Sequence, residues 1–166
     1  MERKIIIGID PGSESGAMAW NTFDTTGMST LRFKDVTPKE FCLKIKELSP
    51  YFVTVEKVHT FPMQGISSAG KFMENFGMIK GFLMALDIPY SEVTPQTWMK
   101  YYGLKREKEQ SRTEWKKVLR QRAEELYPYT KIVTETADAI LIAHYAKVQL
   151  AQQQLQPPRP QVAKRI

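Results

Sequence analysis

Two acidic residues in this chain stand where a carboxylate is costly to keep. Asp10 closes the run Lys4-Ile5-Ile6-Ile7-Gly8-Ile9, and Glu56 closes Tyr51-Phe52-Val53-Thr54-Val55. Both runs are apolar and rich in β-branched residues, the composition of strands covered on both faces. A carboxylate there must be paired, protonated or bound to a cation. Glu135 and Asp138 form a second set. Three residues apart, they share one face of a helix, and the small neighbours Ala137 and Ala139 let that helix lie close to a sheet. If the two strands are parallel neighbours and the helix closes over their ends, four carboxylates meet. Two of them about 4 Å apart repel by roughly 4 kcal/mol at an effective dielectric near 20. A divalent cation removes that conflict. An oxygen-only ligand set, with no Cys or His at zinc spacing, points to Mg2+ or Mn2+. Two such ions about 3.5 to 4 Å apart suit phosphodiester hydrolysis, one activating water and the other stabilising the leaving 3′ oxygen.

Singly, each acid has a plainer role: Glu135 as complement to a helix N-terminus, Asp10 as a turn cap, Glu56 as an exposed strand end. What favours the joint reading is a basic segment alongside them. Between Lys105 and Arg122 stand eight basic residues (Lys105, Arg106, Lys108, Arg112, Lys116, Lys117, Arg120, Arg122) against three acidic ones. Most of the net charge of +6 is therefore local, the footprint of a surface that sits on phosphates.

The elements that must position these residues follow from pattern. Ile5 to Asp10 is a strand stopped by Pro11-Gly12, and Ser15 to Trp20 and Met28 to Phe33 continue it as an antiparallel meander. Thr37-Pro38 and Thr94-Pro95 each place a cap before a proline at the first helical position. The first opens a helix through Leu48, the second a helix carrying Trp98, Met99 and Tyr102. Tyr51 to Val55 and Tyr90 to Val93 are strands, with a further one expected at Lys131-Ile132-Val133. From Ser67 to Leu86, Phe72, Phe76, Ile79 and Leu83 fall at helical spacing. Gly70, Gly77 and Gly81 in that helix each cost up to about 1 kcal/mol against alanine, so close packing or a partner should compensate. Packing on the sheet and a dimer seam are equally open. Ser111 to Leu126 is helical, and a last helix begins near Thr134 or Glu135. Trp98, Trp115 and Cys42 read as core, and His144 as a surface or core histidine.

The 166 residues, 42% hydrophobic and 25% charged, suit one domain with a full core over residues 1–150. Residues 151–166 are rich in Gln and Pro with Arg159, Lys164 and Arg165, and are expected to form a flexible basic tail. No run of about 18 apolar residues and no signal-peptide layout is present. The expectation is a cytoplasmic protein with no membrane contact.

With the acids and elements in place, the sequence resembles the RuvC-type Holliday junction resolvases of the RNase H-like superfamily, most of all the small bacteriophage-encoded members. The matching pieces are IGIDPGSESGAMAW, YFVTVEK, the helix after it, VTPQTWMKYYGLKREK and TETADAILIAHY, in order from Ile5 to about Leu150. The resemblance implies an α/β fold: a mixed five-stranded sheet, its first three strands antiparallel, flanked by helices. It implies a two-fold homodimer that cuts paired strands of four-way and other branched DNA, leaving 5′-phosphate and 3′-hydroxyl ends, with two Mg2+ per site and no nucleotide cofactor. It places the metal-binding acids at Asp10, Glu56, Glu135 and Asp138, although aspartate is commonest where this chain has Glu135. Assisting lysines match Lys105, Lys108 and Lys116, and Arg106 and Arg112 join them on DNA. The residue that wedges the junction centre falls at His59, with Phe61 and Met63 close behind. Two other readings stand beside this one. The Gly-Ile-Asp-Pro-Gly opening also resembles the phosphate hairpin of actin-like and sugar-kinase ATPases, which need two such domains. A catalytically silent branched-DNA-binding protein would keep the basic patch without the chemistry.

Overall fold

The computed structural model describes residues 4–12, 14–57 and 66–153. His59, Phe61 and Met63, and the tail beyond residue 153, lie outside them. Strand β1 (Ile5–Asp10) occupies the middle of a five-stranded sheet of order β3-β2-β1-β4-β5. It pairs antiparallel with β2 (Ala17–Thr22), which pairs antiparallel with β3 (Ser29–Arg32). On its other side lie β4 (Phe52–Glu56) and then β5 (Tyr90–Val93), both parallel. The mixed α/β sheet with three antiparallel leading strands is as the resemblance implies.

Because side chains alternate along a strand, β1 serves two layers. Ile7 and Ile9 pack with Met18, Val53 and Val55 against α1 (Pro38–Leu48) and α2 (Ile66–Ala85), through Phe41, Ile45, Phe76, Ile79 and Leu83. Gly8 and Asp10 point to the opposite face. That face is covered by α5 (Thr134–Gln153), with α3 (Pro95–Tyr101) and α4 (Arg112–Leu126) packed beside it through Trp98, Trp115, Leu119 and Ala123. The capping signals act as read. Thr37 forms a reciprocal box with Glu40, and the Thr94 hydroxyl accepts from the amide of Thr97. Ser111 and Glu114 form a second box that starts α4.

Three expectations change. Lys131-Ile132-Val133 is not a strand. Its Ile132 is buried, but the Val133 amide and carbonyl are taken by the Thr136 hydroxyl at the start of α5, which leaves them unavailable for a ladder. Cys42 is only partly buried, because the buried side of α1 runs through Phe41 and Ile45. Within the chain, the α2 glycines are not compensated by close packing: a side chain at Gly70, Gly77 or Gly81 would meet nothing within 4 Å. The apolar stripe of α2 faces the sheet, and the glycines face away beside exposed Met73 and Met84.

Gly8 is the tight point. A Cβ there would lie 2.6 Å from the carbonyl oxygen of Ala139 and closer still to the amide of Ala143, so β1 and α5 touch backbone to backbone. Gly8→Ala should destabilise the protein by about 3 kcal/mol or more, since rigid backbone must move apart. Urea denaturation of the purified variant checks this; a loss under about 1 kcal/mol would mean the contact is loose.

Candidate active site

The parallel register that pairs Ile9 with Val55 makes Asp10 and Glu56 the next residues on adjacent strands. Neighbouring strands run about 4.8 Å apart, and both side chains leave the α5 face of the sheet. Asp10 is bent into its own turn, one carboxylate oxygen accepting from the Gly12 amide at 3.2 Å. Gly16 closes that turn on Gly12 so tightly that a Cβ there would overlap backbone. Glu56 accepts a 2.7 Å hydrogen bond from the indole nitrogen of Trp98. Trp98 is fully buried, as the apolar spacing of α3 implies. Its hydrogen bond to Glu56 is a role that spacing does not reveal.

Asp138 comes from the first turns of α5 and is 6% exposed, like Asp10 at 7%. Lys116 reaches it from α4, Nζ to Oδ2 at 2.5 Å. The other carboxylate oxygen of Asp138 is buried without a hydrogen-bond partner. Burial first, and Asp138 second, raise the Asp10 carboxyl to about 6 against the pull of Lys116, the Gly12 amide and Arg112. Burial, then Asp10 and Asp138, push Glu56 to about 8, with the Trp98 hydrogen bond and Lys116 opposing. Burial works against the charge on Lys116, but Asp138, Asp10 and Glu56 outweigh it and its pKa is raised. Three acids and one lysine thus feel one another strongly.

Glu135 stands apart. Its carboxylate bonds Lys34 at 2.8 Å, and that hydrogen bond holds its pKa below the ordinary glutamate value, with Arg32 adding to the effect. Sharing a helix face with Asp138 does not bring it to the other acids, because the turn after β3 supplies a nearer cation. Lys105, Arg106 and Lys108 lie exposed on the connection between α3 and α4, with the Arg106 guanidinium donating to the Gln110 carbonyl. Arg112 is exposed at the start of α4 and close enough to Asp10 to lower its pKa. Arg120 and Arg122 are spent on Glu124 and Glu125. His144 is a partly buried structural residue, its Nδ1 2.9 Å from the Tyr127 hydroxyl.

Among the described residues no three acidic, histidine or cysteine side chains are drawn into a ready coordination shell. The donor set nevertheless suits a hard cation: Asp10, Glu56 and Asp138 offer only oxygen, one Asp138 oxygen lacks a partner, and a lysine ammonium is the cation now among them.

No family model and no curated protein matches the sequence. Solved structures do match. Thermus thermophilus RuvC in complex with a Holliday junction substrate superposes with a TM-score of 0.62 at 13% identity, over 89% of this chain and 96% of that one. The fowlpox virus Holliday junction resolvase gives 0.58 at 14% identity, over 87% and 99%. The fowlpox virus resolvase in complex with Holliday junction DNA gives 0.53 at 18% identity, over 92% and 99%. The fold is that of the RuvC resolvases. In this RuvC fold the end of the central strand and the start of the last helix bring Asp10 and Asp138 together, with Glu56 beside them.

The two raised carboxyls dictate a pH dependence for the metal-free protein. Folded Asp10 and Glu56 hold protons that the unfolded chain has released, so stability is greatest near pH 4 to 5. It falls as pH rises through about 6 for Asp10 and about 8 for Glu56. The slope per carboxyl is at most about 1.4 kcal/mol per pH unit. His144, whose pKa burial lowers, offsets part of this near its ordinary range. Urea midpoints in EDTA between pH 5 and 9 should therefore decline; a rising curve would contradict the described burial of the acids.

Proposed function

We propose that this chain is a structure-selective endonuclease that resolves Holliday junctions and other branched DNA by paired, metal-dependent phosphodiester hydrolysis. The observation that carries this reading is that Asp10 and Glu56 end adjacent parallel strands within electrostatic reach of Asp138, Lys116 and Arg112. Asp10, Glu56 and Asp138 would hold Mg2+ or Mn2+, and Glu135 would join them only by leaving Lys34. Bound ions would supply Lewis-acid charge at the scissile phosphate. The chain's own groups do the rest. Trp98 orients Glu56, the Gly12 amide orients Asp10, and Lys105, Lys108 and Arg112 attract the phosphate backbone. Hydrolysis leaves a 5′ phosphate and a 3′ hydroxyl. His59 or Phe61 is proposed as the wedge at the junction centre.

The experiment is cleavage of labelled four-way, flap and linear DNA. Asp10→Asn keeps the volume and removes a charge, so cleavage should fall by about a thousandfold or more while junction binding stays within about twofold. Full activity in that variant, or in excess EDTA, would overturn the proposal. Tight junction binding without cleavage in the wild type would favour the silent binding protein instead, a reading to which the Glu135–Lys34 bond lends weight.

Two cuts on opposed strands need two sites, which a two-fold homodimer supplies. The outward face of α2 is the surface we nominate, with open Gly77 and Gly81 next to exposed Met73 and Met84. Gly77→Leu should shift the protein toward monomer in light scattering. Cruciform plasmid should then accumulate as nicked circles in place of linear product. A Gly77→Leu dimer that still linearises the plasmid would place the interface elsewhere.

A further inference from the structure

The bond between Lys116 and Asp138 differs in kind from the other ion pairs of α4. Arg120–Glu124 and Arg122–Glu125 are exposed and lie within the helix, whereas Lys116 crosses to α5 and ends among the acids. Its side chain is 23% exposed and that of Asp138 8%. An ammonium on one oxygen of Asp138 and a divalent ion on the other repel twice as strongly as two single charges at that distance, so each weakens the other's hold on the carboxylate. Lysine has the means to leave, being a point charge on a flexible four-carbon stem. It also has somewhere to go. Arg112 lies four residues earlier, on the same face of α4, exposed and, among the described residues, in no ion pair.

Resting on the endonuclease reading above, we propose that Lys116 is an exchangeable counter-cation. It holds Asp138 while the site is metal-free and gives it up to the divalent ion. The released ammonium then turns outward beside Arg112 to meet a DNA phosphate. Metal and junction binding are thereby coupled through one side chain. By linkage, each tightens the other by the same factor.

The test uses the full chain at pH 9, where proton competition for the acids is least, with Ca2+ as probe. Calorimetry gives Ca2+ affinity without DNA, and fluorescence anisotropy gives four-way junction affinity with and without Ca2+ at fixed ionic strength. Lys116→Gln should bind Ca2+ about three- to tenfold more tightly than wild type, since no internal cation must be displaced. It should also lose most of the gain in junction affinity that Ca2+ confers on wild type. Lys117→Gln removes the same charge from an exposed position of the same helix and, whatever it does to junction affinity itself, should match wild type in Ca2+ affinity and in the gain that Ca2+ confers. Lys116→Arg, which keeps a cation there, should stay close to wild-type Ca2+ affinity and controls for folding. Unchanged or weaker Ca2+ binding by Lys116→Gln, with wild type binding normally, would overturn the exchange and leave the endonuclease proposal standing. A wild type that binds no divalent ion and cuts in EDTA would overturn both.

Discussion

The contact on which this structure depends is the one between Gly8 and the backbone of α5 at Ala139 and Ala143. A helix normally stands off a sheet by the thickness of two side-chain layers. Here the central strand contributes no side chain at the crossing and the helix contributes only methyl groups. The start of α5 is thereby lowered onto the end of β1. Asp138 reaches the neighbourhood of Asp10, and both stay more than nine-tenths buried. A larger residue at any of the three positions would lift the acids apart.

That closeness creates an electrostatic problem which the chain solves only in part. Three carboxyls converge, and the fold supplies one lysine, one indole N–H and one backbone amide to meet them. The remainder appears as raised pKa values on Asp10 and Glu56 and as an Asp138 oxygen with no partner. That excess negative charge is what the cation proposed above would offset.

The opposite end of α5 is held by a different set of polar contacts. His144 meets the Tyr127 hydroxyl, Tyr102 donates to the Leu141 carbonyl at 2.6 Å, and Lys147 donates to the Thr22 carbonyl at 3.1 Å. These bonds tie α3, α4 and the β2–β3 turn to one helix. They fix the approach of α4, and with it the side from which Lys116 enters.

Much of this was legible in residue order. The β-branched runs ending in Asp10 and Glu56, the Thr-Pro caps and the periodic apolar helices are local signals, each tied to a backbone preference that acts over a few residues. They marked the five strands of the sheet and most helix starts, together with one strand, at Lys131–Val133, that does not form, and they nominated Asp10, Glu56, Glu135 and Asp138 as candidate acids. Which acids meet was decided by tertiary structure. Glu135 and Asp138 share a helix face, yet Lys34, about a hundred residues earlier in the chain, draws Glu135 away. Lys116 is one of eight cations in its segment, and only the docking of α4 through Trp115, Leu119 and Ala123 singles it out. Trp98 shows an apolar pattern whether or not its indole nitrogen has a partner, and the α2 glycines give no sign of which way they face. Local propensity is written residue by residue; the pairing of charges distant in sequence arises only when packing has decided which surfaces touch.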